Sequence, residues 1–354
     1  MIVSSLPLVL LSMLGAAWAD AAMACSPDSE LEYLCGLERP EDVVVIPGTD
    51  WLIVSGFAPG AGIHFVDTRR REARRAYERL PTQLEPDVGA YPQCTAPVDP
   101  ALFNARGLSL RARGPDRWQL LVVNHGGRES IEVFALELVA GVPQVHWRGC
   151  MPLPPGQVGN SVASFSDGTV LVTVLTRPGT SIADFVAGHV TGAVWSWRPG
   201  ATGFELLPGT ELPGNNGLEV DPDEQHFYVI AFGWHAVVVF DRERSGPREI
   251  ITAPDFMPDN IHWSGGRLLL AGMRLDEPAC GGTRRIVDGV ADPMRCHRGW
   301  VIGEVDLRDH RISTIAYGRP QPGFNGVSAA AFAGGALWLG SFQSDRLAIV
   351  RGTP

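Results

Sequence analysis

A short unit of strand and turn signals recurs six times along this chain of 354 residues. Each unit has a polar residue, a short strand, a turn with Gly or Asp-Pro, a strongly apolar strand and then a further strand. Successive starts are 65, 54, 56, 44 and 67 residues apart, and they fall at Glu41, Arg106, Asn160, Asn216, Asn260 and Val327. Units of about 50 residues with three or four short strands are typical of propeller blades. The repeat predicts an all-β fold, a six-bladed β-propeller with four-stranded antiparallel blades around a central channel.

The same pattern weighs against two other architectures. Long helical periodicity is absent, which disfavours an alternating βα fold. A two-domain β-sandwich would also contain many short strands, but it would not produce six equivalent units. With 45% hydrophobic and 19% charged residues, the composition is that of a globular protein. We therefore expect residues 25–354 to form a single propeller domain.

The first 24 residues have the pattern of a secretory signal peptide. Residues 6–17 are apolar, and this stretch is too short to span a bilayer comfortably. Small-x-small sites end at Ala19 and Ala24, and we expect cleavage after one of them. Cys25 follows directly, so a lipid anchor at this cysteine is the alternative. The mature protein is expected to be secreted or periplasmic, and no other segment is apolar and long enough to cross a membrane.

The chain contains six cysteines, which in an exported protein suggest disulfide bonds. Six cysteines allow 15 full pairings. Cys280 and Cys296 are 16 positions apart, and a bond between them would close an insertion. Two further pairs are then left, Cys94 with Cys150 and Cys25 with Cys35. None of the spacings matches a zinc pattern such as CxxC.

The chain has 29 basic residues, and every one of them is arginine. The absence of lysine excludes Schiff-base chemistry and a phosphate-binding loop lysine. The net charge of −10 argues against nucleic acid as the main partner.

In a propeller the first strand of each blade lines the channel, so residues at equivalent unit starts converge near the axis. Oxygen ligands stand at or beside four of these starts: Glu41, Asn160, Asn216, and Asn260 with Asp259 next to it. Carboxylate and amide oxygens suit a hard cation, calcium before magnesium, whereas zinc would want His or Cys. Each residue alone has a plainer interpretation, such as an Asn-Gly turn at Asn216. Their shared register favours a metal site.

At these positions the sequence resembles the calcium-dependent six-bladed propeller hydrolases. These are the paraoxonase/arylesterase group and the wider senescence-marker-protein/gluconolactonase superfamily, with strictosidine synthase as a more distant relative. The resemblance runs from about residue 40 to residue 351, with its best matches in LLVVNHGGRESIEVF, GNNGLEVDPDEQHFYVIAFGWHAVVVF and PDNIHW. It implies a catalytic calcium at the bottom of a top-face pocket, held by Glu41, Asn160, Asn216, Asp259 and Asn260.

The resemblance also implies roles for residues around this calcium. Asp42 matches a ligand of a second, structural calcium in the paraoxonase group, but Ser161 stands where that group has an aspartate. His125 matches one of two catalytic histidines. Arg106 replaces the other, and an arginine stays protonated and cannot serve as a general base. Arg106 would instead bind an anionic group, and the proton of the attacking water would pass to a ligand carboxylate, Asp259 or Glu41, or to His125.

The sequence thus predicts an exported calcium-dependent hydrolase of lactones or aryl esters, in which calcium polarises the carbonyl group and water attacks it. No GxSxG motif of a serine nucleophile is present. The alternative is a non-catalytic propeller that keeps calcium for stability and binds a ligand or a protein on its top face. A third interpretation is a sugar-acid lactonase, for which Arg106 suits polar or anionic substrates. We expect a monomer whose partner is a small lactone or ester.

Overall fold

Six antiparallel sheets of four strands each make up most of the described part of the chain. The computed structural model describes residues 25–28, 30–94, 96–292 and 294–351, so the predicted signal peptide lies outside the described residues. The sheets are the six blades of a propeller, which confirms the predicted fold class. No helix among the described residues is long and apolar enough to cross a membrane.

The first three blades follow one another along the chain, and each runs from its innermost to its outermost strand. Blade 1 consists of β2 (Val43–Val45), β3 (Trp51–Ser55), β4 (Ile63–Asp67) and β5 (Glu72–Arg75). Blade 2 consists of β6 (Ala105–Gly114), β7 (Arg117–Asn124), β8 (Ser130–Val139) and β9 (Val142–Pro152). Blade 3 consists of β10 (Gly159–Ser164), β11 (Val170–Val174), β12 (Ala193–Trp197) and β13 (Glu205–Leu206).

The last three blades continue this order, and blade 5 carries an insertion. Blade 4 consists of β14 (Asn215–Val220), β15 (His226–Ala231), β16 (Ala236–Asp241) and β17 (Pro247–Thr252). Blade 5 consists of β18 (Phe256–Ser264), β19 (Arg267–Arg274), β22 (Trp300–Asp306) and β23 (Arg311–Gly318). Blade 6 consists of β24 (Val327–Ala333), β25 (Ala336–Ser341), β26 (Arg346–Val350) and, as its outermost strand, β1 (Leu31–Cys35).

The two ends of the described chain meet in blade 6. Strand β1 pairs antiparallel with β26, with Leu31 opposite Val350 and Cys35 opposite Arg346. The sixth repeat unit supplies only three strands, so the N-terminal segment provides the fourth. This pairing closes the ring and covers the backbone groups of an edge strand that would otherwise be exposed.

The hydrophobic core is divided into layers between neighbouring blades. Blades 3 and 4, for example, share a cluster that contains Leu171 of β11 and Val229 of β15, both buried. Similar clusters lie between the other five pairs of neighbours. Because each blade buries both of its faces in this way, central strands such as β11 are apolar along nearly their whole length. This explains why short apolar strands recur in the sequence.

The innermost strands of blades 2 to 6 share a local irregularity. The register with the next strand shifts early in each of them, at Ala105/Leu108, Gly159/Val162, Asn215/Leu218, Pro258/Asn260 and Val327/Ala329. Such β-bulges re-aim side chains that a regular ladder would direct alternately to the two faces of the sheet. The bulges coincide with the starts of the repeat units. The residues at equivalent positions of the repeat therefore lie where the regular strand pairing is interrupted.

Glycine allows the innermost strands to approach one another at two of these bulges. A Cβ atom at Gly217 would lie 2.7 Å from the backbone oxygen of Asp259, and one at Gly107 would lie 2.6 Å from that of Asn160. Both distances are too short for a real contact, so only glycine fits. Asn216 and Gly217 therefore lie within a strand, and their interpretation as a turn pair is wrong.

The loops between strands contain short helical turns and a hairpin, and three disulfide bonds lie in or next to them. Helix α1 (Ile182–Val186) lies between β11 and β12, and the hairpin of β20 (Ile286–Val287) and β21 (Val290–Ala291) lies in the blade 5 insertion. Three short 3-10 turns lie at Pro81–Gln83, Phe232–Trp234 and Pro278–Cys280. The disulfides join Cys280 to Cys296, Cys94 to Cys150 and Cys25 to Cys35. These are the three pairs named above from the sequence.

Candidate metal centre

The residues predicted to bind calcium all lie on or next to the innermost strands. Glu41 precedes β2 by two residues, Asn160 and Asn216 are the second residues of β10 and β14, and Asp259 and Asn260 lie within β18. Four of the five side chains are buried, and that of Asn160 is half-buried. The structure therefore brings together, around the channel, residues that are more than 200 positions apart in the sequence.

Two hydrogen bonds join these residues across blades. Nδ2 of Asn216 donates to Oδ1 of Asp259 over 2.7 Å, which connects blades 4 and 5. Nδ2 of Asn260 donates to Oε1 of Glu41 over 3.0 Å, which connects blades 5 and 1. Both bonds use the amide nitrogen as donor, so they orient the side chains while leaving oxygen atoms available.

Three oxygen atoms of this group are buried and accept no hydrogen bond from the described residues. They are Oε2 of Glu41, Oδ1 of Asn160 and Oδ1 of Asn216. A buried acceptor without a donor costs about 1–3 kcal/mol, and all three of these residues line one cavity. A hard cation bound there would supply the missing partner of such oxygens. The donors are carboxylate and amide oxygens with no thiolate or imidazole among them, which fits calcium and does not fit zinc.

The two carboxyl groups of this centre are also unfavourable as bare anions. Burial raises the pKa of Glu41 to about 8, and the neighbouring charges of Asp42 and Asp259 add to the effect. Burial likewise raises the pKa of Asp259 to about 7, although the hydrogen bond from Asn216 partly offsets it. A divalent cation held between the two groups would favour their ionised forms. The electrostatics thus point to the same ligand as the unpartnered oxygens.

Asp42, implied as a ligand of a second calcium, has protein partners instead. The side chain is fully buried, Oδ1 lies 2.7 Å from Nε2 of His262, and Oδ2 accepts the backbone N–H of Leu108 over 2.7 Å. Burial alone would lower the pKa of His262, but the carboxylates of Asp42 and Glu219 outweigh it and raise the pKa to about 10. Ser161, at the position of the missing aspartate, accepts the N–H of Leu218. An imidazolium therefore supplies the positive charge that Asp42 needs.

His125 lies at the end of β7, on the same face of the propeller, but it is not among the residues that line the cavity beside the centre. Its Nδ1 lies 2.9 Å from Oε1 of Glu129, four positions further along the chain. Its backbone N–H donates to the carbonyl oxygen of Asn104. The structure thus gives the imidazole a carboxylate partner in its own loop.

Arg106, the second residue of β6, does line the cavity. Its Cζ lies 3.0 Å from the centroid of the Phe57 ring, so the guanidinium group stacks on an aromatic face. Its Nε atom is buried and has no hydrogen-bond partner among the described residues. Burial lowers the pKa of Arg106 to about 10, with the charges of Glu41 and Glu129 acting in the opposite direction. The side chain is therefore still a cation at neutral pH.

The cavity has a volume of about 200 Å³ and a lining of two kinds. Its polar part consists of four of the predicted ligands and two arginines: Glu41, Asn160, Asn216, Asp259, Arg106 and Arg284. Its apolar part is supplied by helix α1, a 3-10 turn and loops: Phe57, Leu175, Ile182, Phe185, Phe232, Met294 and Phe342. A cation held by the polar part would bind a polar group of a ligand, and the remainder of the ligand would pack against the apolar walls.

The apolar part of the lining was not predicted from the sequence, although four of its residues occupy equivalent positions in the repeat. Phe57, Leu175, Phe232 and Phe342 each come one or two residues after the second strand of a blade. His125 occupies the equivalent position in blade 2. Aligning the repeat units by the ends of their second strands would have found these residues.

A second group of potential metal ligands lies elsewhere in blade 4. Ligand atoms of Asp221, Asp223 and His226 all lie within 4.8 Å of one another, in the turn between β14 and β15. Asp221 already interacts within the protein, because Oδ2 accepts from the hydroxyl of Tyr228 and lies 3.1 Å from Nδ1 of His226. These residues could hold a metal ion, but they lie at the far end of β14 from Asn216.

The described residues thus form a six-bladed propeller with carboxylate and amide oxygens around its channel and a small cavity beside them. No protein-family model matches the sequence, and no curated protein matches it. Solved structures do match by fold. A luciferin-regenerating enzyme aligns with a TM-score of 0.52 and 13% identity, covering 90% of this chain and 93% of that one.

A protein provisionally named a gluconolactonase aligns with a TM-score of 0.51 and 13% identity, covering 93% of this chain and 94% of that one. At such identities the similarity shows the shared fold. The chain thus shares the six-bladed propeller fold of these two proteins.

Proposed function

We propose that this protein is an exported calcium-dependent hydrolase of lactones or aryl esters. The observation that carries the proposal is the set of three buried oxygens without donors, on Glu41, Asn160 and Asn216, beside two buried carboxylates. Five residues, Glu41, Asn160, Asn216, Asp259 and Asn260, would hold or orient the ion. The predicted signal peptide and the three disulfides support export to the periplasm or beyond.

Bound calcium would act as a Lewis acid that polarises the carbonyl group and stabilises the oxyanion that develops on it. The protein supplies the remaining functions. Phe185, Phe232 and Met294 pack against the apolar part of the substrate and limit the entry of water. The bonds from Asn216 and Asn260 hold the two carboxylates in fixed orientations, so little reorganisation is needed during the reaction.

We assign the general base to Asp259. It lines the cavity, its Oδ1 is occupied by the hydrogen bond from Asn216, and its Oδ2 is left to take the proton of the attacking water. Arg106 is a cation and cannot do this. His125 does not line the cavity and is held by Glu129. We therefore propose that it positions the loop between β7 and β8.

The second candidate function is a non-catalytic propeller that keeps calcium for stability and binds a ligand. It is favoured by the absence of any imidazole from the cavity lining within the described residues. The two candidates differ in turnover. Both predict calcium binding and a calcium-dependent increase in the melting temperature, but only the first predicts hydrolysis.

The test is the hydrolysis of a panel of lactones and aryl esters by the mature protein, with calcium, after chelation and after calcium is restored. We expect turnover that stops on chelation and returns with calcium. Glu41→Gln should abolish it, whereas Glu38→Gln, an exposed glutamate three positions earlier, should not. Calcium-dependent stabilisation without turnover on any substrate would favour the second candidate, and turnover that survives chelation would contradict the first.

A further inference from the structure

Two arginines from separate parts of the fold line the same cavity. Arg106 comes from the innermost strand of blade 2, and Arg284 comes from the disulfide-closed insertion of blade 5. Neither forms an ion pair with a carboxylate of the described residues. Arginine is almost never fully buried without a partner, so two partly buried arginines without ion pairs in one small cavity favour an anionic ligand.

Both guanidinium groups keep donor capacity that the protein does not use. Arg284 donates from Nε to the backbone oxygen of Asp292 over 3.0 Å, and its Nη atoms have no acceptor in the described part of the chain. Arg106 stacks on Phe57 and leaves Nε without a partner. Guanidinium groups bind carboxylates through paired N–H donors, more strongly than they bind neutral acceptors.

The charges of the cavity lining also favour an anionic ligand. Its two carboxylates, Glu41 and Asp259, would compensate a divalent cation held between them, which leaves neither guanidinium group a free carboxylate within the lining. Burial lowers the pKa of each arginine, while Glu41 and Glu129 oppose this effect at Arg106 and Asp292 opposes it at Arg284. The remaining lining is apolar and would not compete for that anion.

We propose that the substrate of this site is itself an anion: a compact lactone or ester that carries a carboxylate, bound by Arg284 and Arg106 while its carbonyl group faces the calcium ligands. This inference rests on the proposed function for the hydrolytic step and adds the class of substrate. The volume of about 200 Å³ is below the range of about 300–1,000 Å³ that is usual for drug-sized ligands, which limits the substrate to a small molecule.

The experiment compares two matched lactones, a γ-butyrolactone with a carboxylate substituent and the same lactone with an uncharged carboxamide. KM and kcat are measured for the calcium-loaded mature protein and for Arg284→Gln. Arg285→Gln is the control, because Arg285 is the neighbouring residue, is exposed and does not line the cavity. We expect the carboxylate to be preferred, and Arg284→Gln to raise its KM by about tenfold to hundredfold while the carboxamide is unaffected.

Binding is measured in parallel, by calorimetry, with the non-hydrolysable cyclopentanone carboxylate and its carboxamide. Preferential, Arg284-dependent binding of the carboxylate ketone, without hydrolysis of either lactone or of any member of the lactone and aryl-ester panel, would support the anion site and contradict the proposed hydrolase. Hydrolysis of both lactones with equal KM, or an equal loss for both in Arg284→Gln, would overturn the anion site and leave the hydrolase standing. The same effect in Arg285→Gln would also overturn it.

Discussion

Asn216 and Asp259 meet at the contact between blades 4 and 5, where Nδ2 of the amide lies 2.7 Å from Oδ1 of the carboxylate. The bond uses the donor of Asn216 and one acceptor of Asp259. It therefore leaves one oxygen on each residue, and Oδ1 of Asn216 is buried without a donor. An amide and a carboxylate that orient each other while keeping oxygens available are suited to hold a cation and to accept a proton.

Replacement of that carboxylate tests its role as the base. Asp259→Asn keeps the size of the side chain, but it removes the charge and the proton acceptor. We expect kcat for lactone hydrolysis to fall by about 10²- to 10⁴-fold, the usual contribution of a general base. Hydrolysis is measured at saturating calcium, so that weaker metal binding does not mimic the effect. A kcat equal to that of the wild type would remove Asp259 from the mechanism.

His125 provides the complementary prediction. Because its imidazole is held by Glu129 and does not line the cavity, His125→Gln should lower kcat by less than about tenfold. The same assay as for Asp259→Asn compares the two variants directly. A loss for His125→Gln as large as that for Asp259→Asn would identify the imidazole as the base after all.

The pair of Asp42 and His262 should matter for stability. Both side chains are buried, and Nε2 of His262 lies 2.7 Å from Oδ1 of Asp42. His262→Ala leaves a buried carboxylate without its charged partner, which typically costs about 3–5 kcal/mol. Urea unfolding in calcium measures the free energy of unfolding. The double variant with Asp42→Asn should recover part of the loss, and a loss below about 1 kcal/mol in the single variant would show that the pair contributes little.

The disulfide between Cys280 and Cys296 closes a loop within one insertion, with a sequence separation of 16. Replacing both cysteines by serine should therefore lower the free energy of unfolding by at most about 3 kcal/mol and leave the propeller folded. Limited trypsin digestion should then cut the insertion sooner, for example after Arg285 or Arg295. Circular dichroism of the intact variant checks the fold, and complete loss of folding would contradict a local role.

The blades could be predicted from the sequence because each one buries both faces, so short apolar strands recur at a nearly constant interval. The predicted start at Val327 is the first residue of β24, and the start at Asn216 is the second of β14. Strand β1 could not be found in this way. It stands outside the repeat, and its pairing with β26 spans most of the chain, so no local pattern indicates it.

The residues around the channel were predictable to the extent that they share a register. Contacts between residues of different blades were not predictable, because His262 and its partner Asp42 lie 220 positions apart in the sequence. Arg284 was also missed, because a loop has no periodicity that reveals which side chains enter the cavity. The plain turn interpretation of Asn216 failed because the close approach of β18 requires Gly217 within a strand.

The most direct test of the account is calorimetric titration of the chelator-stripped mature protein with calcium, for the wild type and two variants. Asn216→Ala removes an unpartnered oxygen at the channel, and Asp223→Asn changes the exposed acidic turn of blade 4. We predict tight calcium binding that is lost in Asn216→Ala and kept in Asp223→Asn. Absence of binding to the wild type, or binding lost only in Asp223→Asn, would contradict a calcium centre at the channel.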